Sequence, residues 1–175
     1  AALKIAKAAN YQGLGTVEFL VRPDDDFFAF IETNARLQVE HTVSEEVTGT
    51  DLVQLQINLA QGQTLESLGI RQESISTRGY AIQTRVNMET MLPDGNTRPS
   101  GGVLTAFDVP SGPGIRTDTF GYVGYTTNAS FDSLLAKVII YSGSSDFAVA
   151  TNKAYRALSD FRIEGLATNV SLLRS

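Results

Sequence analysis

Glu32, Asn34, Arg36, Gln38 and Glu40 occupy every second position of the stretch FIETNARLQVEH, residues 30–41. Thr33, Ala35, Leu37 and Val39 between them are small or apolar. Period two is the pattern of a strand with two unlike faces. The polar face sets acids at both ends, with amides and a guanidinium between, a set able to hold a cation and an anion together. Glu32, Asn34 and the upstream Glu18 offer hard oxygen ligands for a metal-bound phosphate. Arg36 is a rigid fork suited to a planar anion such as bicarbonate, or to a phosphate. Glu40 is placed to take a proton from a weakly acidic substrate. The plain alternative is an internal ion-pair ladder, Glu32–Arg36–Glu40. His41, the single histidine of the chain, reads as a structural hydrogen-bonding residue ahead of a catalyst.

Fully extended, Glu32 to Glu40 would span about 26 Å at roughly 3.3 Å per residue. One small ligand cannot bridge that, so the chain bends after Arg36 or the residues serve two ends of a long cleft. The elements that must position them start upstream. AALKIAKAAN reads as the tail of a helix with Leu3, Ile5 and Ala6 inward. LGTVEFLVR, residues 14–22, and FFAFIETN, residues 27–34, alternate as strands and flank the turn residues Pro23, Asp24, Asp25 and Asp26. Pairing Arg22 with Phe28 sets Glu18 opposite Glu32. Two carboxylates facing each other across a sheet repel unless a divalent cation lies between them, and Mg²⁺ with phosphate oxygens fits such a pair. A shifted register would leave both acids in water.

The 175 residues suffice for one large domain or two small ones. A hydrophobic content of 42% supports a core of normal size. Net charge is −5, with 14 basic and 19 acidic residues, which argues against a general nucleic-acid binder. FFAFI and AKVII are too short to span a membrane. Zero cysteines excludes disulfides, cysteine–zinc sites and thiol catalysis, and fits a cytoplasmic protein.

Residues 42–48 form a short helix stopped by Gly49, and Thr50 or Asp51 caps a second, LVQLQINLA. Residues 63–78 are polar and irregular, as in a linker. YAIQTRVN, residues 80–87, alternates, with Gln83, Arg85 and Asn87 on one face. Residues 88–102 read as a long loop. GVLTAFDV, GIRTDTF and AKVIIY are further strands, the Lys137 ammonium snorkelling outward. Ser144 or Ser145 opens a helix with the apolar stripe Phe147, Ala150, Ala154, Leu158 and Phe161, and a last helix starts near Thr168. The fold class is α+β in two units, 1–72 and 73–175.

The motif E-x-N-x-R-x-Q-V-E-H at Glu32–His41, preceded by GTVEFL, resembles the active-site strand of biotin carboxylases, which are ATP-grasp enzymes. RGYAIQTRVN, GPGIRTDTF, YTTNASFDSLLAKVI and FRIEGLATN resemble further segments of that family in the same order. The resemblance implies the C-terminal half of an ATP-grasp domain over 1–72. A biotin carboxylase C-terminal domain, with a mainly antiparallel sheet and helices, follows over 73–175. It implies ATP- and bicarbonate-dependent carboxylation of biotin through carboxyphosphate. Glu18 and Glu32 would hold Mg²⁺ (or Mn²⁺) on ATP with help from Asn34. Arg36 would bind bicarbonate, and Gln38 and the backbone of Val39 would line its pocket. Glu40 would be the general base, and Arg85 would stabilise the biotin enolate.

The implied partners are the N-terminal part of the biotin carboxylase, a biotin carboxyl carrier domain and a carboxyltransferase component. A homodimer contact is implied near Arg116, although Pro113 stands where family members often carry an aromatic. The family's glycine-rich lid and upstream lysines lie outside these 175 residues, so the chain alone is expected to be inactive. The competing classes are another ATP-grasp ligase, such as a carbamoyl-phosphate synthetase, and a non-catalytic assembly module.

Overall fold

A computed structural model describes residues 1–25, 27–128 and 132–175. The turn role expected of Asp26 lies outside them. The chain divides into two compact units, Ala1–Ser76 and Thr77–Ser175.

The first unit begins with α1 (Ala2–Ala8), then a hairpin of β1 (Thr16–Val21) and β2 (Phe28–Asn34), then α2 (His41–Thr48) and α3 (Leu52–Ala60). Leu3 faces solvent at 58% exposure, not inward; Ala2, Ile5 and Ala6 are the half-buried residues of α1. Gly49 ends α2 in the left-handed region, φ 68°, where only a residue without Cβ sits at no cost. Asp51 caps α3 by accepting from the Gln54 N–H at 2.7 Å. Among the described residues, none of the fully buried hydrophobic side chains belongs to this unit. Its buried residues are Thr42 and Glu45.

The hairpin departs from the expected register. Val21 faces Phe28, Leu20 faces Ala29 and Phe19 faces Phe30, yet Glu18 faces Glu32. The Arg22 N–H accordingly donates to Phe27, not Phe28. Ile31 is the extra residue, a β-bulge that moves the pairing by one. The aromatic rings explain it. In the observed register Phe28 and Phe30 share a face with Phe19 and meet its ring edge-on, at 5.4 and 6.2 Å between centroids. An unbroken register carrying Glu18 opposite Glu32 would put Phe28 and Phe30 on the carboxylate face. The bulge lets the aromatics keep one face and the acids the other.

The second unit is built on a three-stranded antiparallel sheet, β3 (Tyr80–Asn87), β8 (Leu134–Ser142) and β7 (Ile115–Thr119), with β8 central. Helix α4 (Phe147–Asp160) packs on one face. Val86, Ala136, Val138 and Ile140 from the sheet meet Ala154, Ala157, Leu158 and Phe161 in a shared apolar cluster. Phe147 stays outside this core, half-exposed with its ring against Tyr80. Asp146, not Ser144 or Ser145, caps α4 by accepting from the Ala148 N–H; Ser144 in turn accepts from Asp146.

Residues 88–102 are not a plain loop. β4 (Glu89–Met91) and β5 (Thr97–Pro99) pair antiparallel around Leu92–Pro93–Asp94–Gly95–Asn96. A Pro-Asp-Gly turn between two short extended runs is the chemistry that makes such a hairpin. β6 (Ala106–Asp108) pairs with β9 (Arg162–Glu164), and α5 (Val170–Leu173) closes the chain.

Asn169, 5% exposed, fastens the free edge of β3. Its Oδ1 accepts from the Asn87 N–H at 2.9 Å and its Nδ2 donates to the Arg85 carbonyl at 3.1 Å. Its own N–H donates to the Asn87 carbonyl. The side chain thus supplies the bonds a further strand would make, beside the β-bulge at Val86/Asn87. Asn169→Ala is expected to leave two half-buried backbone groups unpaired. Denaturant unfolding should show a loss of about 1–3 kcal/mol, against an indistinguishable midpoint if water replaces the amide.

Candidate active site

The hairpin positions the acids first. Glu18 is half-buried on β1, and Glu32 is exposed directly opposite on β2. Asn34, two residues beyond Glu32 on the same face, donates its Nδ2 to Glu32 Oε1 at 2.8 Å and to Glu18 Oε1 at 3.0 Å. One amide therefore gathers both carboxylates around a single point. The ladder stops there: β2 ends at Asn34 and residues 35–40 bend. Alternation in the sequence continues to Glu40, but the strand does not.

The bend brings Gln38 back to the hairpin, its Nε2 donating to Glu18 Oε1 at 3.3 Å. Glu18, Glu32, Asn34 and Gln38 thus form one connected polar cluster. Gln38 Oε1 is buried without a hydrogen-bond partner, which costs about 1–3 kcal/mol unless a donor arrives. Arg36 is exposed at the bend, and its Nη1 donates to the Leu37 carbonyl at 3.3 Å, not into the ladder sketched from the sequence. Val39 is half-buried. Glu40 is exposed at the position just before α2 and makes no side-chain cap bond to that helix.

His41 is held by structure. Its Nδ1 lies 2.7 Å from the Gln38 carbonyl and its Nε2 3.9 Å from Glu45 Oε2. Glu45 Oε1 accepts from the Leu52 N–H at the start of α3. His41 and Glu45 therefore tie the bend carrying Gln38 and Glu40 to the two following helices.

In the second unit Arg85 is an exposed residue of the edge strand β3. It stands opposite Lys137 of β8, which stands opposite Asp118 of β7. Lys137 does not snorkel to water: its side chain is 13% exposed and its Nζ lies 3.2 Å from Asp118 Oδ2. Arg116 binds the same carboxylate with two prongs, Nε at 2.8 Å and Nη2 at 3.1 Å. Burial pushes the Asp118 carboxyl up, but the hydrogen bonds and charges of Arg116 and Lys137 outweigh it and hold the group below its ordinary value. The importance of Asn169 to Arg85 escaped the sequence reading. The asparagine stands just before a short helix, where it looks like an ordinary boundary residue.

The acidic cluster suits a hard divalent cation. The two carboxylates already converge, and amide oxygen and nitrogen are interchangeable by a half-turn of the Asn34 side chain. That half-turn sets Oδ1 beside both acids and makes an all-oxygen donor set. Among the described residues no group of three or more His, Cys, Asp or Glu is arranged around a metal position. Two carboxylates are the number Mg²⁺ takes when phosphate oxygens complete its shell.

Comparison with known proteins sets these features in a family. Residues 83–175 match the biotin carboxylase C-terminal domain. Residues 1–68 match the ATP-binding domain of the carbamoyl-phosphate synthase L chain. The chain is 44% identical over 170 residues to Biotin carboxylase 1 of Bacillus subtilis, covering 97% of this chain and 36% of that protein. It is 46% identical over 173 residues to Pyruvate carboxylase 1 of Caenorhabditis elegans, covering 98% of this chain and 14% of that one. The chain therefore spans about a third or less of the length of these relatives. A single-chain, multi-domain long-chain acyl-CoA carboxylase superposes with a TM-score of 0.93 at 45% identity, over 99% of this chain and 19% of that one. The bicarbonate-bound biotin carboxylase domain of a thermophilic 2-oxoglutarate carboxylase gives 0.91 at 37%, over 99% and 37%. With the C-terminal domain matched over more than half its residues, the chain belongs to the biotin carboxylase family.

Proposed function

We propose that this chain is part of the biotin carboxylase component of a biotin-dependent carboxylase, which uses ATP and bicarbonate to carboxylate biotin. The observation that carries the proposal is the convergence of Glu18 and Glu32 on Asn34, extended by Gln38. Glu18 and Glu32, with Asn34, would hold Mg²⁺ (or Mn²⁺), which when bound neutralises the phosphates of ATP. Arg36 presents its guanidinium to bicarbonate. The Gln38 amide, with its unpartnered Oε1, and the Val39 backbone line the same pocket. Glu40 removes the bicarbonate proton, so that the anion attacks the γ-phosphate of ATP and forms carboxyphosphate with release of ADP.

Carboxyphosphate then yields CO₂ and phosphate, and phosphate takes the proton from the biotin ureido nitrogen. Arg85 stabilises the negative charge that develops there, and the deprotonated nitrogen attacks the carbon of CO₂ to form the N–C bond of carboxybiotin. Biotin arrives on a carrier domain, and carboxybiotin is passed to a carboxyltransferase component. The presence of Arg85 on a strand of the C-terminal domain favours this over another ATP-grasp ligase, which has no use for a cation serving biotin. Intact Glu18, Glu32, Arg36 and Glu40 favour it over a non-catalytic assembly module. A related domain, from Hydrogenobacter thermophilus 2-oxoglutarate carboxylase, has been solved with MgADP and bicarbonate, which supports the same ligand set here.

The test is ADP release by the full-length polypeptide carrying this sequence, with Mg-ATP and bicarbonate, with and without free biotin. A rate that rises with biotin is expected. ATP turnover indifferent to biotin would move the protein to another ATP-grasp activity.

A further inference from the structure

Arg85, Lys137 and Asp118 lie in one cross-strand row over three adjacent strands, β3, β8 and β7. Directly opposed residues of an antiparallel pair carry their side chains on the same face, with Cβ atoms roughly 4.5–5.5 Å apart. Arg85 and Lys137 are therefore two cations in the least favourable pairing a sheet offers. Lys137 is the more buried of the two, at 13% side-chain exposure, so water screens its charge poorly. Asp118, on the far side of Lys137, places an oxygen 3.2 Å from its ammonium. Arg116, two residues before Asp118, binds both oxygens of that carboxylate, Oδ1 through Nε and Oδ2 through Nη2, and fixes its plane.

The backbone under Arg85 is held by Asn169. What the side chain does is left to its neighbours on the face, and the nearest charged one by register is Lys137. We propose that Asp118 is a positioning residue for Arg85: by drawing the Lys137 ammonium toward β7 and balancing its charge, it allows Arg85 to hold its guanidinium over β3, ready for substrate. With the Asp118 charge gone, the Lys137 ammonium is no longer balanced from the β7 side and repels Arg85. The proposal rests on the role of Arg85 given above.

The experiment measures biotin-stimulated ADP release in the full-length polypeptide for Asp118→Asn, Asp118→Asn/Lys137→Met, Asp118→Asn/Arg116→Met and Arg85→Ala. Asp118→Asn is expected to lower kcat/KM for biotin about tenfold, the consequence of roughly 1.4 kcal/mol at the transition state. KM for ATP should move less than twofold. Adding Lys137→Met, which removes the cation and keeps the apolar stem, is expected to restore kcat/KM to within about threefold. Adding Arg116→Met, which removes the cation that does not face Arg85, should restore nothing. A general loss of folding would be rescued by neither second change and would lower the thermal melting midpoint together with the rate, overturning the proposal. Equal rescue by both second changes would overturn it too, because the effect would then be net charge. An unaltered biotin-dependent rate in Arg85→Ala would instead remove the underlying role of Arg85, a result distinct from an unaltered rate in Asp118→Asn alone.

Discussion

Glu40→Gln is expected to reduce bicarbonate-dependent ATP cleavage by about 10²–10⁴-fold, the usual worth of a positioned general base. The substitution keeps shape and hydrogen-bonding reach but cannot accept the proton. Glu40 makes no side-chain cap bond to α2, so no helix cap is lost. Losing an acid beside a helix start costs about 0.3–1 kcal/mol, which leaves the fold in place. Steady-state ADP release read beside a thermal melt separates the two effects. A bicarbonate-dependent rate within about threefold of the parent, with an unchanged melt, would assign the proton to another group.

The second large effect is expected at Arg85. Removing a cation aimed at developing negative charge costs about 10²–10³ in kcat, so Arg85→Ala should nearly extinguish the biotin-stimulated rate. Arg85 is exposed on an edge strand, and its main-chain carbonyl remains bound to Asn169 in the variant. A thermal melt read beside the biotin-stimulated rate separates loss of chemistry from loss of fold. Arg85→Lys should recover little, since a compact ammonium on a flexible stem does not reproduce a planar fork. Full recovery by lysine would mean that charge alone suffices there.

How much of this could be seen in the residues varied with the physics involved. Facing carboxylates at Glu18 and Glu32 followed from spacing, and the pairing is as expected. The route to it did not follow, because it depends on how three phenylalanine rings prefer to meet. Polar alternation from Glu32 to Glu40 left open one long strand or a bend after Arg36, and the strand ends earlier than either. Its termination at Asn34 comes from Gln38 turning back to Glu18, a long-range bond that no local period encodes. The β4–β5 hairpin was missed although its Pro-Asp-Gly turn was in plain view, because Pro99 and the neighbouring glycines suggested irregular chain. Helix ends were closer: Gly49 is the stop expected and Asp51 one of the two caps considered, while Ser144 and Ser145 drew attention from Asp146. Lys137 was misjudged because a lone lysine in an apolar run gives no hint of a carboxylate directly opposite on the neighbouring strand. Biotin itself came only with the family resemblance.

The bulge at Ile31 has a consequence for how this hairpin tolerates change over evolutionary time. It divides the ribbon into two lengths whose alignments are set by different forces, ring packing toward the tip and acid pairing toward the base. Residues at the tip can drift, or the turn can gain or lose a position, and the slack is taken up at one spare residue before it reaches the carboxylates. A hairpin aligned in a single piece would transmit each such change to the acids and turn Glu32 to the wrong side. The spare isoleucine works as an expansion joint that lets the outer ribbon vary while the inner pair stays facing.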